Sequence, residues 1–319
     1  MSSTHLLARG TLTSVASSFL FGLIYFLTPS LAPMSAEGIW AVRAVVTLAF
    51  MAIVLLQMRQ WHLVGDVWVR IKKRPMLALG VLASSALLGV LLWLFGWAPL
   101  HGRGLNVALG FFLFPLVLVI IGRFLYKDQL KWWHWLATAA AAVGVTLQVI
   151  LVGSLSWETV VVTLGYPLYL VLRRALDMAH SGGLFWEFLI ALPVAVIALS
   201  NEMVHGGAFT RNPSLWWIAP VFALISATAI WMFILAAKLL PISVFGLMTY
   251  LEPALLVVAS LLIGERIARL EYISYSFIWA AVITILVGGI VQYWRNTMHR
   301  LKQRAHRDQA FEGRGQAAP

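Results

Sequence analysis

Gly110-Phe111-Phe112-Leu113-Phe114-Pro115 and Gly246-Leu247-Met248-Thr249-Tyr250-Leu251-Glu252-Pro253 follow one plan at two places in the chain. A tryptophan stands 22 residues before the proline in each, Trp93 before Pro115 and Trp231 before Pro253. Each run ends on an acidic turn, Lys127-Asp128 in the first and Gly264-Glu265-Arg266 in the second. The offset is 138 residues in a chain of 319. A repeat of that length predicts two related halves rather than one continuous domain.

Outside the repeat, composition fixes the solvent. The chain is 61% hydrophobic and 11% charged, with a mean hydropathy of +0.88. Soluble domains carry about 25% charged residues, so this is a polytopic membrane protein. Lipid admits only helices or a closed barrel. A barrel needs alternating segments of about 10 residues, whereas runs 10–36, 75–102, 104–122, 132–157, 212–237 and 272–294 hold no Asp, Glu, Lys or Arg. A helix crosses with about 20 residues. The first run is longer than the ~7–15-residue core of a signal peptide, which predicts an uncleaved first span.

Four further spans are interrupted by single charges, at 36–58, 156–173, 181–201 and 240–263. The prediction is an all-α integral membrane protein with ten transmembrane helices, near 10–31, 36–58, 75–99, 104–125, 132–151, 156–173, 181–201, 214–237, 240–263 and 271–293. With the N-terminus in the cytoplasm, 18 Lys and Arg fall inside and four outside, namely Arg103, Arg211, Arg266 and Arg269. That asymmetry sets both termini inside. Five helices per half is an odd number, so residues 153–294 form an inverted copy of 1–152. Two inverted five-helix repeats with a site between them is a plan many secondary transporters use. Residues 295–319 form a basic tail expected to be disordered and to rest on anionic lipid headgroups. The stretch 57–75, with Trp61, Trp68 and basic residues, predicts an amphipathic segment at the inner interface.

Charge inside a span costs ~2.5–3.5 kcal/mol on insertion scales and points to function. Three residues qualify: Arg43, Glu187 and Glu252. Arg43 and Glu187 are 144 residues apart, close to the repeat offset. They therefore approach the midplane from opposite faces, at depths that argue against a direct ion pair. In the functional reading they line a central cavity, where Arg43 takes an acceptor such as a carboxylate. Glu187 or Glu252 takes an amine or a coupling proton. In the structural reading Arg43 pins helix 2 to backbone carbonyls, Glu187 snorkels to the interface and Glu252 satisfies a break at Pro253. Asn106, Tyr166 and Tyr250 are polar candidates for the same site. Pro115 and Pro253 are expected to break or kink their helices and free backbone groups.

Cysteine is absent, which excludes disulfides, thiolate metal sites and a cysteine nucleophile. No HExxH metal motif and no phosphate loop occurs. No cofactor is expected. The partners expected are a small-molecule substrate, with a proton as coupling ion, and membrane lipids. Two other classes fit a polytopic helical protein: a membrane-embedded transferase, which needs clustered His, Asp or Glu at one interface, and a non-transporting sensor or scaffold acting through its basic segments.

Several passages resemble a known family. They are Glu37-Gly38-Ile39-Trp40-Ala41-Val42-Arg43, Arg59-Gln60-Trp61, Leu109 to Leu116, Gly144-Val145-Thr146-Leu147-Gln148, and Glu187 with Ala191-Leu192-Pro193-Val194-Ala195. Together they resemble the EamA family of the drug/metabolite transporter superfamily, in its RarD-like branch. The resemblance spans about 10–293. It implies ten helices in inverted repeats, both termini in the cytoplasm, and export of small metabolites or drugs across a bacterial inner membrane. Tyr126-Lys127-Asp128 departs from the family's usual Leu-Gly-Glu, and Tyr250-Leu251-Glu252-Pro253 is the general family form rather than that of the branch.

Overall fold

A computed structural model describes residues 3–125, 132–152, 155–240 and 248–267, and part of 269–291. The Lys127-Asp128 turn and the expected tail at 295–319 lie outside the described residues.

The described chain is helical. Its helices are α1 (Ser3–Leu27), α2 (Ala36–Gln57), α3 (His62–Lys73), α4 (Met76–Leu100), α5 (Gly104–Leu125) and α6 (Trp132–Val152) in the first half. The second half has α7 (Trp157–Ala175), α8 (Ser181–Asn201), the short α9 (Ala208–Arg211), α10 (Leu215–Leu239) and α11 (Leu251–Ile263). Described positions between 272 and 291 are helical too. Helices α1, α2, α4, α8 and α10 are long and apolar enough to cross a bilayer, and α5, α6 and α11 contain shorter apolar stretches.

Local chemistry sets the ends. Ser35 caps α2, its Oγ accepting the Gly38 N–H at 3.1 Å. Ser156 caps α7 through the Thr159 N–H at 3.3 Å. His180 caps α8, Nδ1 accepting the Gly183 N–H at 3.2 Å. Burial first, then the charges of Arg70 and Arg173, hold the His180 pKa below its ordinary value. The ring is thereby kept neutral, as an accepting nitrogen requires. Gly264, at φ +106°, stops α11 in a left-handed turn that favours glycine.

Helices of one expected half pack on helices of the other. α1 lies along α10 and α11, α2 along α8 and α10, α4 along α7 and α8, and α5 along α7 and α11. Gly110 lets α5 and α7 approach closely: a Cβ there would stand 2.6 Å from the Val162 Cβ and 2.9 Å from the Thr159 carbonyl. Hydroxyls tie helices together, as when Ser17 Oγ donates to the Ala229 carbonyl at 2.9 Å. Such bonds in membranes average ~0.6 kcal/mol. One core gathers around Tyr25, Phe95, Phe111 and Phe112, and a second, towards α3, around Met51, Leu55, Phe185 and Phe188. The flanks are apolar, with Phe19, Leu79, Leu168, Ile197 and Val258 exposed, as a lipid-facing surface should be.

The amphipathic segment expected at 57–75 is α3. It buries Val64 and Val67 and carries Arg70, Lys72 and Lys73 in its last turn. Trp68 stacks on Trp186 at 5.7 Å, and Arg70 Nη1 reaches Asp177 at 3.3 Å.

Two expectations need correction. The span expected at 240–263 is not one helix: Thr249 and Tyr250 form a turn and α11 starts at Leu251. Pro253 therefore lies in a first turn, where its missing N–H would have no helical partner anyway. Pro115, its counterpart, sits inside α5, which runs on through it.

Candidate functional site

Arg43 lies two turns into α2 and is 3% exposed. Nε donates to Ser226 Oγ of α10 at 2.9 Å, and Nη1 to the Leu92 carbonyl of α4 at 3.3 Å. The guanidinium carbon sits 5.5 Å from the centroid of Phe95. Nη2 is buried and meets no acceptor among the described residues. Two of the three nitrogens thus hold the side chain in place, and the third has no partner among the described residues.

Tyr166 of α7 is within electrostatic reach of both Arg43 and Glu252. Its ring rests against Phe111 at 4.9 Å and Phe114 at 5.8 Å, both on α5. Glu252 is buried in the first turn of α11 and takes no hydrogen bond or ion pair among the described residues. Tyr250, one residue before that helix, buries a hydroxyl with no partner among them. α11 has 13 residues, about 20 Å at 1.5 Å each, against roughly 30 Å of hydrocarbon. Arg43, Tyr166 and Glu252 are linked through those electrostatic contacts, and Tyr250 lies two residues before Glu252, so the four belong to one region.

Glu187 is elsewhere. Its carboxylate accepts from Ser84 of α4 and, at 2.9 Å, from the Tyr169 hydroxyl of α7. Arg173 Nε pairs with it at 3.3 Å. Arg173 in turn donates to the Met178 and His180 carbonyls at 2.8 and 3.1 Å. Ser84 and Leu92, the α4 contacts of Glu187 and Arg43, are eight residues apart, about 12 Å along the helix. The two charges expected to share a cavity are therefore held by separate partner sets.

Asn106 lies at the end of the bundle where α5 begins. It lines a 530 Å³ cleft with Arg103, Glu265 and Arg266. Glu265 caps α5, accepting the Gly104 and Leu105 N–H groups at 2.7 Å each. Burial raises the Glu265 pKa, and the Leu105 and Gly104 amides oppose that shift. Below it, Glu158 is fully buried with Arg103 Nε at 3.7 Å. Neither of its oxygens has a hydrogen-bond donor among the described residues. The sequence placed Glu158 at the edge of a span and gave no sign of this burial.

Charged side chains buried in a helical membrane bundle suit a membrane transporter, and that is the class of its relatives. Relatives match nearly end to end. The chain is 35% identical to the chloramphenicol-sensitive protein RarD of Pseudomonas aeruginosa, over 86% of this chain and 92% of that one. It is 33% identical to an uncharacterized transporter of Pasteurella multocida, over 90% and 98%. Protein RarD of Escherichia coli is 26% identical, over 88% and 95%. The chain belongs to the RarD-like branch of the EamA drug/metabolite transporters. No family model matches it. One crystal structure superposes with a TM-score of 0.52 at 15% identity, covering 88% of this chain and 98% of that one; this likeness concerns the fold alone.

Proposed function

We propose that the chain is a secondary transporter of a bacterial inner membrane, exporting a small metabolite, amino-acid-like compound or drug by alternating access. It has ten spans in two inverted repeats, 1–152 and 153–294, with both termini in the cytoplasm. The pattern of helix contacts supports the repeat. Exchange each span with its counterpart five spans on. The α1–α11 contact becomes α5–α7, α2–α10 becomes α4–α8, and α1–α10 becomes α4–α7, while α2–α8 and α5–α11 map onto themselves. All of these contacts occur. Single cysteines at positions 174 and 207 test the orientation, since the native chain has none. An impermeant thiol reagent should label 207 and spare 174 in intact cells; the reverse would overturn the topology.

The observation that carries the site is the buried Nη2 of Arg43, which has no partner among the described residues, together with the buried Glu252 in the first turn of α11. Arg43 takes an anionic or carbonyl group of the substrate. Glu252 takes an amine or the coupling proton, and Tyr166 is within electrostatic reach of both residues. Asn106 lines the outer mouth, and Glu187 holds the frame. The test is transport in proteoliposomes against a metabolite panel, with and without a proton gradient. Arg43→Gln should weaken affinity tenfold or more, because a charge-assisted hydrogen bond is worth roughly 1.5–3 kcal/mol and ~1.4 kcal/mol is tenfold. Glu252→Gln should lose the response to the gradient and keep substrate exchange. Wild-type affinity and pH response in both variants would sink the assignment.

A further inference from the structure

Two recesses on the flank of the bundle run into one another. An apolar groove of 400 Å³ lies between α2, α4 and α8, with Trp40, Trp93 and Ala191 on its walls. A cleft of 620 Å³ at the α2 N-terminus is lined by Glu37, Glu202 and His205. Glu37, Val194 and Ala198 belong to both. Val194 and Ile197 are 60% and 69% exposed on the apolar flank, so what fills the groove arrives from the bilayer.

The mouth is chemically specific. Glu37 Oε1 accepts the Trp93 indole N–H at 3.0 Å, and its second oxygen has no donor among the described residues. Glu202 Oε2 holds Ser35 through its N–H, at 3.3 Å, and its hydroxyl; Oε1 has no such donor. No Lys or Arg lines either recess. At the rim, however, the Arg211 guanidinium donates to the Gly206 and Gly207 carbonyls. Two carboxylates with spare oxygens, and a cation a few residues away, match a zwitterion rather than a simple cation.

We propose that this groove binds phosphatidylethanolamine, its ammonium at Glu37 and Glu202, its phosphate towards Arg211, and one acyl chain along Trp40 and Trp93. An acyl chain gains little by moving from lipid tails to an equally apolar groove. Preference among lipids therefore comes from the headgroup. The ethanolamine ammonium donates hydrogen bonds to carboxylates. Choline carries the charge without the N–H groups, and phosphatidylglycerol lacks the cation.

The experiment is native mass spectrometry of the full chain in detergent, supplied with equimolar phosphatidylethanolamine, phosphatidylcholine and phosphatidylglycerol. Phosphatidylethanolamine should be retained at least about tenfold over phosphatidylglycerol. Glu37→Gln, which keeps an acceptor for Trp93, should cut that preference by about tenfold. Ala191→Phe, filling the groove away from the acids, should lower retention of every lipid. Equal retention of the three lipids by the native chain would overturn the proposal. So would an undiminished preference in a folded Glu37→Gln. Displacement by dodecylamine at equal concentration would mark a site for free amphiphilic amines and overturn the lipid assignment. If Glu37→Gln does not fold, the native lipid ratio and Ala191→Phe decide.

Discussion

Replacing Glu187 by Gln separates a structural charge from a transporting one. The carboxylate is 1% exposed, and Ser84, Tyr169 and Arg173 all converge on it. Glutamine keeps the shape, and the two hydroxyls can turn to suit an amide. The Arg173 guanidinium, with its side chain 12% exposed, cannot adapt and is left without a counter-charge. Breaking one partner out of a buried pair costs about 3–5 kcal/mol. Each kcal/mol is worth roughly 2 °C of melting temperature for a large chain. The expected loss is then about 6–10 °C, read as retention of the monodisperse peak on size exclusion after heating in detergent. Removing both charges, as Glu187→Met with Arg173→Met, should recover most of that loss, because the uncompensated cation goes with its partner. The folded fraction of Glu187→Gln should transport normally. Unchanged melting together with abolished transport would refute the structural role. A double variant as unstable as the single one would refute the pair as its source.

The two prolines should respond differently. Pro115→Ala returns an N–H to the interior of α5 and should stabilise by about 1 kcal/mol, whereas Pro253→Ala, in the first turn of α11, should leave melting unchanged; equal gains would mean that α11 extends further back than Leu251. His180 gives the fold a pH dependence. At high pH the ring is neutral in folded and unfolded chains alike, but as pH falls through the ordinary imidazole range the unfolded chain takes a proton that the depressed pKa of His180 resists, so stability declines. His180→Asn, which caps without titrating, should flatten that part of a melting-versus-pH curve.

Element positions were legible because lipid leaves the backbone so little choice. The bounds 104–125 and 181–201 read from charge-free and singly charged runs are those of α5 and α8. The amphipathic α3 follows from local residues in the same way. What failed to show was partnership. Hydropathy marks Arg43 and Glu187 as costly, but their cost is met by Ser226, 183 residues from Arg43, and Ser84, 103 from Glu187. Arg173 ends the span expected at 156–173, and nothing in the sequence marks it as the counter-ion of Glu187. Glu158 stands near the start of the span expected at 156–173, yet it is fully buried with Arg103 beside it. Pro253 read as the cause of a break, whereas the turn at Thr249–Tyr250 precedes it, because a proline is tolerated in a first turn and signals a helix start as readily as a kink. A single sequence states which groups must be satisfied inside the membrane; which residue satisfies them depends on how the helices cross. Arg43 Nη2 and the Tyr250 hydroxyl are two of the buried polar atoms without a hydrogen-bond partner among the described residues, and such atoms point to the proposed substrate site in a way that hydropathy alone does not.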